Sequence, residues 1–262
     1  MKNPGRVALV AALLIAASAG LALWGGAPAG VAAAAPADPT PLESLDALLK
    51  RHVDEEGWVD YSGWKRQDEA ALRSVVSGFA AQDPDAMTPT ARKAYWINVY
   101  NAVTLQAMLE FFPLKSIKDK QSLVGYKVWD DYLFGPQGRS LNQIEHQLLR
   151  PLGDPRIHAA IVCASRGCPP LRNEAFRPER LDAQLDEQCR TWLRDRARGL
   201  EIRGDTAYVS KVFDWFAEDF PEGVQGRLGW IARFATPEDA ARLRSGALDL
   251  DTLDWDWALN SR

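Results

Sequence analysis

The chain has 262 residues, of which 47% are hydrophobic and 25% charged, and its formal net charge is −4. Ordinary glycine and proline contents exclude collagen-like and low-complexity classes, and without a basic excess to neutralise phosphates no nucleic-acid partner is expected. Three cysteines cannot build a disulfide scaffold, because at most one intramolecular bridge can form.

At the N-terminus, Lys2 and Arg6 precede an uncharged, mainly apolar run from Val7 to Trp24, and small residues then lead to Ala35-Pro36-Ala37 before Asp38. This is the layout of a secretory signal peptide, so residues 1–37 are assigned to one. The run is nearly long enough to span a bilayer, which leaves an uncleaved N-terminal anchor as the competing reading. Both versions place the folded part outside the cytoplasm, periplasmic or secreted, with membrane contact only through this segment if it is retained. Without Lys2 and Arg6 the formal charge becomes −6.

Residues 38–262 read as a single globular domain of α+β class, mainly helical, with a small β-sheet or hairpins. Leu42, Leu45, Leu48 and Leu49 form one helical stripe, and Leu72, Val75, Val76 and Phe79 form another, with an extended piece and turn at Val59-Asp60-Tyr61-Ser62-Gly63 between them. Thr88-Pro89 opens a longer helix that is apolar almost all round and stops at Pro113. Val128 to Phe134 is predicted as a strand, with Gly135-Pro136-Gln137-Gly138 as its turn. Ser140 and Gln143 match a capping box opening a helix through Ile144, Glu145, His146 and Leu149. Ile157 to Ala164 reads as a buried strand, residues 179–198 as an amphipathic helix, and Leu200–Ile202 with Tyr208–Ser210 as a hairpin around Gly204-Asp205. Short helices fill residues 212–244, and the chain ends past Trp255-Asp256-Trp257.

The histidines are His52, His146 and His158, and the cysteines are Cys163, Cys168 and Cys189. Two of each fall between residues 145 and 168, the strongest clustering of reactive side chains in the chain. If Ile157 to Ala164 is extended, His158 and Cys163 point to opposite faces about 16 Å apart, which counts against a direct dyad. Cys168 lies beyond the Ser165-Arg166-Gly167 turn, in a Gly-Cys-Pro loop, and is the better nucleophile candidate, with His146 or His158 as base and Glu145 to orient an imidazole. Asn98 and Asn101, one turn apart on the apolar helix, are candidate substrate-binding amides, and so is the Arg166 guanidinium for an anionic group. Hydrogen bonding to a neighbouring loop is the alternative for both amides. Cys163 and Cys168 are also candidates for a disulfide, either reversible or a static staple. A zinc site built from these cysteines and histidines lacks the common C-x-x-C spacing, and the reading assigns no metal and no cofactor. Cys189 and the tryptophans Trp96, Trp129, Trp192, Trp215 and Trp230 read as core, and His52 as a solvated helix residue.

Trp96-Ile97-Asn98-Val99-Tyr100-Asn101-Ala102, Ser140-Leu141-Asn142-Gln143-Ile144-Glu145-His146 and the run from Asp154-Pro155-Arg156-Ile157-His158 to Cys168-Pro169-Pro170-Leu171 resemble the domain-of-unknown-function family 547. The ending Asp256-Trp257-Ala258-Leu259-Asn260 is similar to that family's terminal Tyr-Asp-Trp-Ser-Leu-Asn, with Trp255 and Ala258 departing from it. The resemblance runs from about Val59 onward. It implies an exported or membrane-associated bacterial protein, matches the family pattern at Asn98, Asn101, Glu145, His146, His158, Cys163 and Cys168, and brings no established reaction. Two expectations follow: an exported enzyme acting through Cys168 on an acyl, peptide or thiol group of a small-molecule or peptide substrate, or a non-catalytic binding module with a Cys163–Cys168 clamp.

Overall fold

Helix α1 (Pro41–His52) starts from a reciprocal capping box, in which the Thr40 hydroxyl accepts from the Glu43 N–H and the Glu43 carboxylate accepts from the Thr40 N–H. The computed structural model describes residues 38–119 and 127–262, which form one compact unit. The segment assigned to a signal peptide lies outside the described residues. Tyr61 to Gln67 forms a second helix, α2, where an extended piece and turn are expected, because the Asp60 carboxylate accepts from the Gly63 N–H and starts the turn. Helix α3 (Glu69–Ala80) follows. His52 is buried rather than solvated: its ring stacks on Trp64 at 4.8 Å and its Nε2 lies 2.7 Å from Asp68 Oδ2.

Helix α4 (Pro89–Phe111) is the centre of the main core, capped by Thr88 as its sequence predicts, and buried along nearly its whole inner length from Ala94 to Leu109. Among the described residues no helix is long and apolar enough to cross a membrane. The predicted strand at Val128 to Phe134 is corrected. Val128–Asp131 is a helical turn, α5, and only Leu133–Phe134 (β1) pairs antiparallel with Arg139–Ser140 (β2). The Asp131 carboxylate accepts from the Lys127 N–H at 2.6 Å, so a local side-chain bond closes the turn in place of a ladder. The Ser140–Gln143 capping box is present and opens α6 (Leu141–Gln143), which widens into a π-helical segment, Ile144–Leu149, where the Arg150 N–H reaches back to the Glu145 carbonyl.

The second correction concerns Ile157 to Ala164. Ile157–Ala160 is a helical turn (α7), started where the Asp154 carboxylate accepts from the Arg156 N–H, and only the residues after it are extended. Among the described residues no strand pairs with Ile161 and Val162. The Asn101 side chain takes that place: its Nδ2 donates to the Ala160 carbonyl at 2.8 Å and its Oδ1 accepts from the Val162 N–H at 3.0 Å. Asn98 does the same for Phe176, donating to its carbonyl at 2.7 Å and accepting from its N–H at 2.9 Å. Both amides are buried and committed to backbone.

Helix α8 (Leu181–Arg194), the expected hairpin β3 (Leu200–Arg203) and β4 (Thr206–Val209), and helices α9 (Val212–Trp215), α10 (Gly223–Ile231) and α11 (Pro237–Arg244) enclose a second hydrophobic cluster around Trp192, Phe213 and Trp230. Strand β5 (Asp249–Thr252) pairs parallel to β4, an edge that periodicity does not announce because its residues alternate only between exposed and half-buried. The fold is thus mainly helical α+β, with sheets of two and three strands. Beyond β5 the chain runs back across the main core. Arg166 and Gly167 donate their N–H groups to the Ala258 and Asp256 carbonyls at 2.8 and 2.9 Å, and Asn260 donates to the Ala164 carbonyl at 2.9 Å.

Replacing Asn101 by Ala leaves two buried backbone groups without partners, each worth about 1–3 kcal/mol. The expected result is a loss of about 2–4 kcal/mol of stability, read as a lower guanidinium midpoint with an unchanged m-value. A change below about 0.5 kcal/mol would show that the amide does not brace this segment.

Candidate functional site

His146, His158, Glu145, Cys163 and Cys168 all line one cavity of about 430 Å³. Three stretches of chain bring them there. The π-helical segment presents Glu145 and His146; the turn at Ile157–Ala160 rotates His158 onto the same side as Cys163; and the loop from Cys163 to Cys168 forms the floor. The expectation that His158 and Cys163 lie on opposite faces fails because the intervening residues begin as a helical turn. Tyr100, Trp129, Asn142, Val212, Trp215, Phe216, Trp255 and Trp257 complete the walls, with Ile161 and Pro169 beneath.

Cys163 and Cys168 are joined as a disulfide with Cα atoms 6.4 Å apart. Cys168 is buried, at 4% exposure, and its Sγ accepts from the Cys163 N–H at 3.1 Å. In this state it is bonded to Cys163 and carries no free thiol. Both sulfurs are equally withdrawn from zinc ligation, and among the described residues no group of three or more His, Cys, Asp or Glu is placed to hold a metal ion. Cys189 is free and buried in the second cluster, where burial raises its thiol pKa above the ordinary range.

The charged groups form one connected chain. Arg150 donates to Asp219 through Nε at 2.7 Å and to His146 Nδ1 at 2.6 Å, and it also pairs with Glu218. Asp219 Oδ2 in turn lies 2.7 Å from His158 Nε2. Burial pushes the Asp219 carboxyl up, but the bonds from Arg150 and His158 outweigh it and hold the group below its usual value. Burial lowers the pKa of His158 despite the Asp219 contact, so the ring is neutral near pH 7, carrying its proton on Nε2 toward the carboxylate. Its Nδ1 then faces Glu145 Oε1 at 3.9 Å, beyond direct hydrogen-bond reach. Glu145 accepts from the Tyr100 hydroxyl at 3.3 Å, and burial drives its pKa up to about 7. Burial, followed by the Arg150 charge, lowers that of His146.

Residues 84–193 match the model of a family described as Protein of unknown function, DUF547. Over that stretch the chain is similar to DUF547. No curated protein and no solved structure matches it. The matched stretch contains Tyr100, Glu145, His146, His158 and the disulfide, whereas Val212, Trp215, Phe216, Asp219, Trp255 and Trp257 lie beyond it.

Of the residues singled out in the sequence, Asn98, Asn101 and Arg166 do not line this cavity. The two amides hold backbone, as described above, and Arg166 donates to the Leu259 carbonyl at 3.3 Å with its guanidinium over the Trp58 ring. Trp215, expected in the core, is 46% exposed and packs against Trp255, tilted, and Trp257, stacked, at centroid distances of 4.6 and 5.8 Å. Trp129 likewise faces the cavity. The members that sequence reasoning missed are Tyr100, Arg150 and Asp219, and Asp219 carries no local signal at all. Arg150 follows His146 by four residues, the spacing that places two side chains together on a helix. Gly167 is fixed by the same wall, since a Cβ there would lie 2.7 Å from the Trp255 ring.

A carboxyl that stays protonated to about pH 7 when folded, against an ordinary value of 4.5, makes the folded state bind more protons than the unfolded one within that window. Its contribution to stability therefore falls as pH rises from about 4.5 to 7 and is constant above. Glu145→Gln lacks this dependence. Relative to wild type, the variant should gain on the order of 2 kcal/mol between pH 5 and 8, measured by chemical unfolding at each pH. A difference that does not vary with pH would show that Glu145 titrates normally.

Proposed function

We propose that this exported protein binds a small molecule or short peptide in the tryptophan-walled cavity and transforms it by proton transfer through Glu145, in the class of acyl or peptide hydrolysis and transfer. The observation that carries the reading is the convergence of Glu145, His146 and His158 on one cavity, with apolar walls above and a closed disulfide below. A cavity of this size with a few convergent polar groups is the usual form of a small-ligand site. Glu145, with a pKa near 7, is matched to giving and taking protons at neutral pH. Its neighbour Asp219 is held ionised by Arg150 and fixes the tautomer of His158. His146, exposed at the rim, is the second group within reach of a bound molecule. Attack by Cys168 is disfavoured in the oxidised protein, where its sulfur is already bonded.

A second reading, a non-catalytic binding module in which the disulfide clamps the floor, draws on that same bond. Export to the periplasm or the exterior fits both. The layout of residues 1–37 supports it, and a disulfide is at home in an oxidising compartment.

A panel of chromogenic acyl esters and short peptide amides, assayed with the folded protein, tests the first reading. Turnover should rise through pH 7 if Glu145 acts as base. Glu145→Gln should lower kcat by about 100-fold or more with KM little changed. Trp215→Ala should raise KM instead. If reduction followed by iodoacetamide abolishes turnover while Glu145→Gln retains it, the cysteine and not the carboxylate does the chemistry. Quenching of tryptophan fluorescence by panel members that are never turned over would leave the binding module.

A further inference from the structure

We propose that the Cys163–Cys168 disulfide is a thiol–disulfide exchange centre, with Cys163 Sγ as the sulfur attacked and Cys168 as the leaving thiolate, serving thiols attached to an apolar body.

Three features of the loop separate the two sulfurs and make the bond exchangeable. Cys163 is half-exposed and lines the cavity, while Cys168 is buried, so a thiolate entering the cavity meets Cys163 first. The Cys163 N–H points at Cys168 Sγ at 3.1 Å, a donor already in place for charge on that sulfur. The Ser165 hydroxyl lies between the two, 3.2 Å from Cys163 Sγ and 3.5 Å from Cys168 Sγ, and can turn toward whichever carries the charge. Hydrogen bonds to a thiolate are stronger than those to a disulfide sulfur, so the backbone donor favours departure of Cys168 and Ser165 assists once the charge is there.

The loop also keeps its shape without the bond. Arg166 and Gly167 donate to the Ala258 and Asp256 carbonyls, Asn260 donates to Ala164, and the Cys168 N–H donates to Ser165. A cross-link over a separation of five residues adds little constraint that these bonds do not already impose. Opening the disulfide therefore leaves the two sulfurs as neighbours, ready to close again.

The chemistry balances as an exchange. A substrate thiolate attacks Cys163 Sγ; the new S–S bond forms as the old one breaks, and the electron pair leaves on Cys168 Sγ. A second substrate thiolate attacks the substrate sulfur of the mixed disulfide and releases Cys163 as thiolate. Two substrate thiols become one disulfide, and the protein holds two thiols, their protons drawn from those the substrate gave up. Running the same steps in reverse, with a low-molecular-weight disulfide as oxidant, restores the bond. The aromatic wall selects the substrate: Trp215, Phe216, Trp255 and Trp257 offer indole and phenyl surface in the same cavity as the sulfurs, which favours an apolar or aromatic thiol over one bearing an ionised group.

The test uses the full chain under native conditions, with benzyl mercaptan and 2-mercaptoethanesulfonate as probes, thiols of similar acidity and opposite polarity. Reduction is followed by quenched alkylation and mass spectrometry. Benzyl mercaptan should reduce the wild-type disulfide at least about tenfold faster, and Trp215→Ala should erase most of that preference. Ser165→Ala should slow reduction by about three- to tenfold. Cys168→Ser, offered the mixed disulfide of benzyl mercaptan, should accumulate the adduct on Cys163, whereas Cys163→Ser should leave Cys168 unmodified while folded. Near-ultraviolet circular dichroism checks that each variant is folded; if either cysteine variant is not, the wild-type reduction rates and the Ser165→Ala ratio decide alone. A disulfide that resists both thiols until the protein unfolds overturns the proposal, as does adduct formation on Cys168. None of these readouts depends on turnover through Glu145, so either reading can fail without the other.

Discussion

Between the helical turn that ends at Ala160 and the turn at Arg166-Gly167 the chain runs extended through the interior, and among the described residues no strand pairs with Ile161 and Val162. Buried N–H and C=O groups without partners would unravel such a segment, and the sequence supplies the missing neighbours from two unrelated places. On one side the Asn101 amide acts as a single residue of strand, bonding Ala160 and Val162. On the other side the C-terminal residues Asp256, Ala258 and Asn260 bond Gly167, Arg166 and Ala164. Ala164 sits between them with φ +65°, a left-handed conformation unfavourable for a residue with a Cβ, so these bonds must hold it there. The floor of the cavity is the product of that arrangement, and so is the approach of His158 to Cys163.

The same frame divides the acidic groups into two kinds. Glu145 and Asp219 flank one imidazole, His158, at 3.9 and 2.7 Å. Asp219 is met by Arg150 and stays ionised; Glu145 is met by the Tyr100 hydroxyl and apolar walls, and burial dominates. Two carboxyls pushed in opposite directions by their surroundings are the usual basis for distinct acid and base roles. The widened helical segment matters here, because its π-helical turn sets the direction in which Glu145 and His146 leave the backbone.

Local chemistry was legible in the sequence wherever one element decided its own form. Thr88-Pro89 and the Ser140–Gln143 box start helices as expected, the Gly204-Asp205 turn closes its hairpin, and Glu145, His146, His158, Cys163 and Cys168, near one another in sequence, line one cavity. Failures arose where a side chain replaced a backbone partner. Val128 to Phe134 and Ile157 to Ala164 have the apolar composition of strands, but Asp131 closes a turn over the residues before it and Asp154 over those after it. Asp219 and the wall of Trp215, Trp255 and Trp257 were out of reach for another reason. Trp255 and Trp257 reach the site through the return of the chain after β5, and Trp215 and Asp219 through α9 and the residues just after it, all contacts of long sequence separation that no window along the sequence contains.

That return also explains how the two parts of the site relate. The family-matched stretch carries the ionisable groups facing the cavity, the disulfide and part of the wall at Tyr100 and Trp129, and the remainder carries Asp219 and the wall from Val212 to Phe216 and at Trp255 and Trp257. Trp255 packs against both hydrophobic clusters and against Gly167, one residue before Cys168. The residue that shapes the wall therefore touches the backbone that positions the buried sulfur. Trp255 immediately precedes Asp256, whose carbonyl accepts from the Gly167 N–H, so the wall and the disulfide loop share one stretch of backbone. The wall and the floor of the cavity are thus in direct contact, across a single glycine.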